Sequence, residues 1–364
     1  MIKSANRILK IVFINIALLL FLIALIEGAT SLVLVVNDYF KTTVPIFVTE
    51  RIHTQYDPLL GWINSPNVRF EDMYGKGVYL ATNSQSFRNT QNFPVEVPPN
   101  KLRIICTGDS FTLGYGVSND DTWCQKLTQL DPIFETVNMG QGGYGVDQAY
   151  LWYQRDGVKL NHDILLFAFI TGDFYRMDLK NFYGYPKPFL TVRDGKIVTE
   201  NVPVSKDKAG HSERMKLSSI FGGFQFYKFF TRLHWKVKRL GSKDGVLGKD
   251  AYNVVDKILE ELKETNISKH SELVLVHLPS VSDYKGDKHS VLLRKTLKHL
   301  SNRKGIIYFD LIDDLNKLSN HFDVEALYLY GNLHYSSAGN KFIAQALYNK
   351  LRLLDKVIAK RDSR

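Results

Sequence analysis

The stretch LRIICTGDS, residues 102–110, carries the pattern that predicts how this chain folds. Its mostly apolar start indicates a short buried strand, and Gly108 stands where that strand would end. Further short apolar runs follow at 134–138, 163–170, 272–278 and 305–309. Stretches with helical periodicity lie near 121–130, 146–160, 290–300 and 336–353. Strands that alternate with helices predict an α/β fold, with a parallel sheet covered by helices on both faces.

The triplet Gly108-Asp109-Ser110 places a serine directly after the first predicted strand. Parallel sheets carry their functional sites at the carboxyl ends of their strands, so Ser110 is a candidate nucleophile. Such a serine reacts only when a base removes its proton and hydrogen-bond donors stabilise the oxyanion. The alternative is a serine that caps the following helix.

A glycine-rich loop, residues 140–145, follows the second predicted strand and has four glycines in six residues. Glycines let a backbone N–H group approach a ligand closely. A phosphate-binding loop is the alternative, but the sequence has no Lys-Ser pair there. A third candidate, His334, lies on a short loop directly before the last predicted helix.

The order of the GDS triplet, the glycine-rich loop and this histidine resembles that of the SGNH (GDSL-type) hydrolase superfamily. Residues 56–62 and 82–88 are similar to the leader of its membrane-anchored bacterial members. The resemblance spans roughly residues 50–355, and Gly108–Val117 is its most specific part. It implies a flavodoxin-like three-layer α/β/α domain.

The resemblance also implies a role for each motif. Ser110 would be the nucleophile and His334 the base, while the backbone N–H groups of Ser110 and Gly143 would donate to the oxyanion. No metal and no organic cofactor are implied.

Two positions depart from the pattern of that superfamily. Its third block normally supplies an Asn as a further oxyanion donor, and here either Gly172 or Asp173 stands at that place. Gly172 has no side-chain donor, and an ionised Asp173 would repel an oxyanion. The Asp that normally precedes the histidine is Asn332 here, and an amide does not stabilise imidazolium as a carboxylate does. Asp323 and Glu325 are the alternative acids.

Residues 11–36 form one apolar run, which is longer than the roughly 20 residues that a helix needs to cross a membrane. Three basic residues precede the run, namely Lys3, Arg7 and Lys10. Since the next basic residue is Lys41, the positive-inside rule predicts a cytoplasmic N-terminus and a single-pass inner-membrane anchor. The rest of the chain would lie in the periplasm or extracytoplasmic space. A cleaved signal peptide is the alternative, but a cut after Ala29 would put Glu27 at the −3 position.

Residues 1–10 would form a cytoplasmic tail. Composition divides the chain after the membrane anchor into further segments. Residues 37–100 are rich in proline and predict a stalk and an N-terminal extension. Residues 101–355 would form the SGNH-like domain, and residues 356–364 a basic tail.

An insertion at 175–249 interrupts the predicted domain. It contains a hairpin with its turn at Asp194-Gly195. Residues 218–240 predict a helix with an apolar stripe opposite a basic face. That helix would pack on the domain or lie on a bilayer surface.

Composition limits the partners of this protein. A net charge of +10 suits an anionic neighbour such as phospholipid or acidic glycan. The chain has no arginine-rich tract and no RNA-reading signature, so nucleic acid is not a predicted partner. Its two cysteines lack zinc-ligand spacing and are predicted to be buried thiols.

Three functions fit the sequence. The leading interpretation is a membrane-anchored serine esterase or acyltransferase. It would act on acyl groups, O-acetyl among them, of cell-envelope glycan or a lipid-linked saccharide. The second is a catalytically degenerate SGNH domain that binds glycan or acts as a scaffold in envelope polysaccharide assembly. The third is a lipase whose 218–240 helix serves as an interfacial lid.

Overall fold

The structure, a computed structural model, describes residues 2–40, 52–206, 247–318, 323–330 and 333–363. The predicted helix 218–240 and Asn332 lie outside the described residues. The chain divides into two compact units. The described part of the first unit is the N-terminal helix, and the second unit holds the other described residues.

The N-terminal helix, α1, spans Ile2–Phe40. Its apolar stretch Lys10–Val33 is long enough to cross a membrane and is not buried within the protein. The side chains of Asn15 and Thr30 hydrogen-bond to carbonyls one turn earlier, at 2.8 Å and 2.7 Å. These side-chain donors are therefore satisfied within the helix, as a lipid environment favours. A helix of this length and composition fits a membrane span or a signal sequence.

A parallel sheet forms the centre of the second unit. The described strands are β1 (Thr54–Asp57), β2 (Gly61–Asn64), β3 (Arg69–Phe70), β4 (Leu80–Ala81), β5 (Leu102–Gly108), β6 (Phe134–Gly140), β7 (Ile164–Phe169), β8 (Asn181–Phe182), β9 (Tyr185–Pro186), β10 (Phe189–Arg193), β11 (Lys196–Glu200), β12 (Glu272–His277) and β13 (Ile307–Asp310). Within this described part, the sheet has five parallel strands in the order β6-β5-β7-β12-β13. Numbered along the chain, that is the 2-1-3-4-5 order of flavodoxin-like sheets, which confirms the predicted fold class.

Helices cover both faces of this sheet. The described helices of the second unit are α2 (Ser110–Leu113), α3 (Trp123–Leu130), α4 (Val146–Arg155), α5 (Thr171–Arg176), α6 (Lys249–Ser268), α7 (Val281–Tyr284), α8 (Lys288–Lys304), α9 (Leu311–Leu318), α10 (Ser337–Leu351) and α11 (Asp355–Asp362). Alternate residues of a strand point to opposite faces. In β5, Ile105 belongs to the core with α4, α6 and α8, whereas Ile104 and Cys106 belong to the core with α3 and α10. One core lies on each face of the sheet, so the domain has three layers: helices, sheet and helices.

The described leader, residues 52–100, carries two short antiparallel strand pairs, β1 with β2 and β3 with β4. The proline-rich sequence had not predicted them. Trp62 on β2 fastens the leader to the glycine-rich loop, because its indole N–H donates to the Gly142 carbonyl at 2.9 Å. The Tyr144 hydroxyl donates back to the Trp62 carbonyl at 2.5 Å. The leader therefore holds the loop from outside the sheet.

The insertion contains the predicted hairpin, formed by β10 and β11 around Asp194-Gly195, both of which have positive φ as a tight turn requires. Several described helices differ from the prediction, α9 and α11 among them, which were not predicted. Helix α4 ends at Arg155, five residues early, because Asp156 leaves the helical conformation. Helix α6 was not predicted, although Val254, Ile258 and Leu262 recur at helical spacing and are buried. The predicted insertion, residues 175–249, overlaps this helix at its first residue, Lys249.

Arg88 is a fully buried cation that links the leader to the segment after the candidate serine. Its guanidinium donates to the carbonyls of Leu113 at 2.6 Å, Gly114 at 2.5 Å and Val117 at 2.5 Å. Its Nε also donates to the side-chain oxygen of Asn119 at 3.0 Å. The charge is therefore solvated by protein carbonyl groups, which replaces its lost hydration.

Replacing Arg88 with methionine should destabilise the domain by about 3–5 kcal/mol. The buried carbonyls would lose their donors, and each buried group left unsatisfied costs about 1–3 kcal/mol. Chemical denaturation of the detergent-solubilised chain measures the change. Arg69→Met is the matched control, because Arg69 is exposed and pairs only with Glu71 among the described acidic residues. Equal denaturation midpoints for the two variants would contradict the role assigned to Arg88.

Candidate active site

The turn after β5 determines where the serine stands. A β-carbon at Gly108, whose φ is +152°, would lie 2.3 Å from the Thr112 hydroxyl and 2.7 Å from a carbonyl oxygen of β7. The turn therefore requires glycine. Asp109 then caps α2, because its carboxylate accepts the Phe111 N–H at 2.8 Å. Ser110 becomes the first residue of that short helix, at the carboxyl end of a central strand.

The structure brings Ser110 and His334 together, although 224 positions separate them in the sequence. Ser110 Oγ lies 2.7 Å from Nε2 of His334. The hydroxyl donates to Nε2 when the imidazole carries its proton on Nδ1, which is the arrangement that a general base needs. The Ser110 side chain is nearly buried, with 4% of its residue surface exposed.

Two aromatic rings hold the imidazole of His334. The ring centroid of Phe111 lies 4.8 Å from that of His334, at an interplanar angle of 36°. The ring centroid of Tyr115 lies 4.6 Å away, at 31°. The faces of aromatic rings attract cations, so this slot orients the imidazole and favours the imidazolium that forms during proton transfer.

Two backbone N–H groups are available as oxyanion donors. The N–H groups of Ser110 and Gly143 make no hydrogen bond to any residue in the described part of the chain. Their loops begin side by side, because Gly108 and Gly140 are paired at the ends of β5 and β6. Gly143 has φ +77°, and a β-carbon there would lie 2.8 Å from the ring of Phe182. Only glycine fits that position.

Asp173 and Gly172 are the two candidates for the third oxyanion donor, and the structure gives them different surroundings. Asp173 is committed elsewhere, because its carboxyl group accepts the Ile170 N–H at 3.0 Å and a donor of Arg176 at 2.6 Å. Burial, followed by the nearby charge of Asp109, raises the pKa of Asp173 well above its usual range. Gly172, in the first turn of α5, offers no side-chain donor.

Arg176 joins the three segments of the site, and the sequence analysis missed it. Its Nη1 donates to Asp109 at 2.9 Å, to Asp173 at 2.6 Å and to the Tyr144 carbonyl at 2.8 Å. These partners follow β5, β7 and β6 respectively. The available sequence signal was the spacing of three residues from Asp173, which places both side chains on one helix face.

The residue that orients His334 is still a prediction, because Asn332 lies outside the described residues. Of the alternative acids, Asp323 caps a short turn, and its carboxylate accepts the Glu325 N–H at 3.0 Å. Both Asp323 and Glu325 are exposed to solvent.

No group of three or more His, Cys, Asp or Glu side chains within the described ranges is arranged to hold a metal ion. The acidic pair beside the serine, Asp109 and Asp173, binds Arg176 and so already has a cation.

No family model matches this chain, and no curated protein matches it. Several solved structures are similar to it. A member of the lipolytic protein G-D-S-L family from Veillonella parvula DSM 2008 is 15% identical, with a TM-score of 0.40, covering 70% of this chain and 100% of that one. Axe2, an acetylxylan esterase from Geobacillus stearothermophilus, is 12% identical, with a TM-score of 0.41, covering 70% and 96%. The lipase/acylhydrolase from Enterococcus faecalis is 10% identical, with a TM-score of 0.38, covering 69% and 95%.

Replacing Tyr115 with leucine should lower the turnover of p-nitrophenyl acetate by about 2- to 30-fold. One aromatic face would be lost from the imidazolium, and such contacts contribute about 0.5–2 kcal/mol. Tyr115→Phe keeps the ring face and should retain most of the turnover. If Tyr115→Leu is as active as the Phe variant, the aromatic slot has no catalytic effect.

Proposed function

We propose that this protein is a serine esterase or acyltransferase that removes or transfers small acyl groups, acetyl in particular. The observation that carries the proposal is the 2.7 Å contact between Ser110 Oγ and His334 Nε2 at the carboxyl edge of the sheet. The two N–H groups that find no partner among the described residues, those of Ser110 and Gly143, support it. A serine, a base and oxyanion donors together make up the machinery of acyl transfer.

The reaction would proceed in two halves. His334 accepts the proton of Ser110 as Oγ attacks the ester carbonyl, and the N–H groups of Ser110 and Gly143 bind the developing oxyanion. The tetrahedral intermediate collapses, His334 protonates the leaving alkoxide, and the acyl group stays on Ser110. In the second half, His334 activates either water, which completes hydrolysis, or a sugar hydroxyl, which completes transfer.

A small acyl group on a saccharide is the substrate class that we favour. The near burial of Ser110 supports a short acyl chain, since little of the nucleophile is open to solvent. The net charge of +10 supports an anionic environment, such as acidic glycan or phospholipid headgroups. We therefore propose cell-envelope glycan or a lipid-linked saccharide as the acyl-bearing partner.

The proposed place of action is outside the cytoplasm, with α1 as an uncleaved anchor. The exposed apolar stretch Lys10–Val33 and the basic residues before it support this orientation.

Alkaline carbonate extraction of membranes should leave the full-length chain in the pellet, because an apolar helix of this length stays in the bilayer. Intact mass measurement of the extracted protein checks that the N-terminus is retained. A soluble species that begins near residue 30 would show that the segment is a cleaved signal peptide.

Ser110→Ala should abolish turnover of p-nitrophenyl acetate, and His334→Gln should lower it by about 10²- to 10⁴-fold, the usual contribution of a general base. Continuous release of p-nitrophenolate by the purified chain measures both. Thermal unfolding midpoints near that of the native protein serve as the control for folding.

A second candidate function is a binding or scaffold domain that has lost catalysis, and Gly172, without a side-chain donor, favours it. If the native chain turns over p-nitrophenyl acetate no faster than Ser110→Ala and no fluorophosphonate labels Ser110, the esterase mechanism fails and the binding function takes its place.

A further inference from the structure

The two cysteines of this chain lie against each other, close in sequence to the candidate nucleophile. Cys106 is on β5, before Ser110, and Cys124 is on α3. Both are free, fully buried thiols, as the sequence predicted. Their sulfur atoms are 2.6 Å apart. Unbonded carbon atoms make contact at about 3.5–4.0 Å, and a disulfide bond is about 2.0 Å long. A small movement would therefore join the two sulfurs.

The proposed place of this domain favours oxidation of such a pair. Disulfides form and persist in the periplasm and outside the cell, and they are rare in the cytosol. The apolar stretch Lys10–Val33 and the basic residues before it support a position of both cysteines outside the cytoplasm. The full sequence has no third cysteine, so an oxidised chain has one intramolecular pairing available.

We propose that Cys106 and Cys124 are joined by a disulfide bond in the native protein. The inference rests on the proposed location and not on the esterase activity. The oxidant would be a thiol oxidase in its disulfide form: one cysteine thiolate attacks that disulfide, and the second cysteine displaces the mixed disulfide. One S–S bond forms in this chain while the S–S bond of the oxidant breaks. Two electrons and two protons pass to the oxidant, which leaves as a dithiol.

Burial determines when this bond can form. An oxidant cannot reach either sulfur in the folded domain, because both cysteines are 0% exposed. Burial, followed by the contact with Cys124, raises the pKa of the Cys106 thiol well above its usual range, which disfavours the attacking thiolate. The oxidant would therefore act before α3 packs onto β5, and the finished bond would afterwards be shielded from reductants.

The bond would fix the segment that carries the nucleophile. It would close a loop over residues 107–123, which includes Ser110. Trp123, on α3, contacts both sides of the site. Its indole N–H donates to the Phe111 carbonyl at 3.1 Å. Its backbone N–H donates to the side-chain oxygen of Asn340, on α10, at 2.9 Å. The disulfide would thus tie β5 to a helix that holds the serine segment and the helix that follows the catalytic histidine.

Thiol trapping in isolated membranes tests the proposal on the full-length chain. The membranes are quenched with acid and then treated with N-ethylmaleimide in neutral denaturant without reductant. We expect no labelled cysteine and an intact mass two hydrogen atoms below that of the reduced chain. Cys124→Ala is the control, because its remaining thiol should take up one label. Two labels on the native chain would overturn the proposal. The esterase function is decided by turnover, so the two failures are distinguishable.

Thermal unfolding of the purified chain gives a second answer. Dithiothreitol present during the scan should lower the unfolding midpoint of the native chain by about 5–10 °C, because reduction of the opened chain removes the loop constraint. The double variant Cys106→Ala with Cys124→Ala should unfold at the same temperature with and without the reductant. A native midpoint that does not respond to dithiothreitol would contradict the disulfide.

Discussion

The contact between Ser110 and His334 depends on one constraint, which is that both faces of the central sheet must be buried. Parallel strands are connected by helices that cover both faces of the sheet, and the carboxyl ends of these strands meet at one edge. In this chain that edge gathers the GDS turn, the glycine-rich loop and the start of α5. The loop before α10 completes the arrangement by bringing the imidazole to the hydroxyl.

The site is held together by groups that come from outside the sheet. Arg88 in the leader binds the carbonyls that follow Ser110, and Trp62 binds the glycine-rich loop. Arg176 bonds to all three segments at the sheet edge. A domain without its leader would therefore lose donors to buried carbonyls as well as apolar surface.

The sequence predicted the features that follow from local pattern. Strands buried on both faces are continuous apolar runs, and the position of Ser110 and His334 at element ends placed them at the sheet edge. Arg176 escaped prediction because two of its three partners, Asp109 and Tyr144, lie in distant segments, and a single arginine carries no periodicity. The turn at Asp194-Gly195 was predictable from two residues, whereas α4 ends where the Asp156 backbone leaves the helical conformation, inside a stretch that still has helical periodicity.

The account stands on Ser110 as an activated nucleophile, and covalent labelling tests this most directly. A fluorophosphonate reacts only with a serine whose proton is taken up by a neighbouring base. The account predicts one adduct per chain in the intact mass, mapped by peptide sequencing to Ser110 and lost when His334 is replaced by glutamine. An unlabelled native protein, or a label on any other residue, would contradict it.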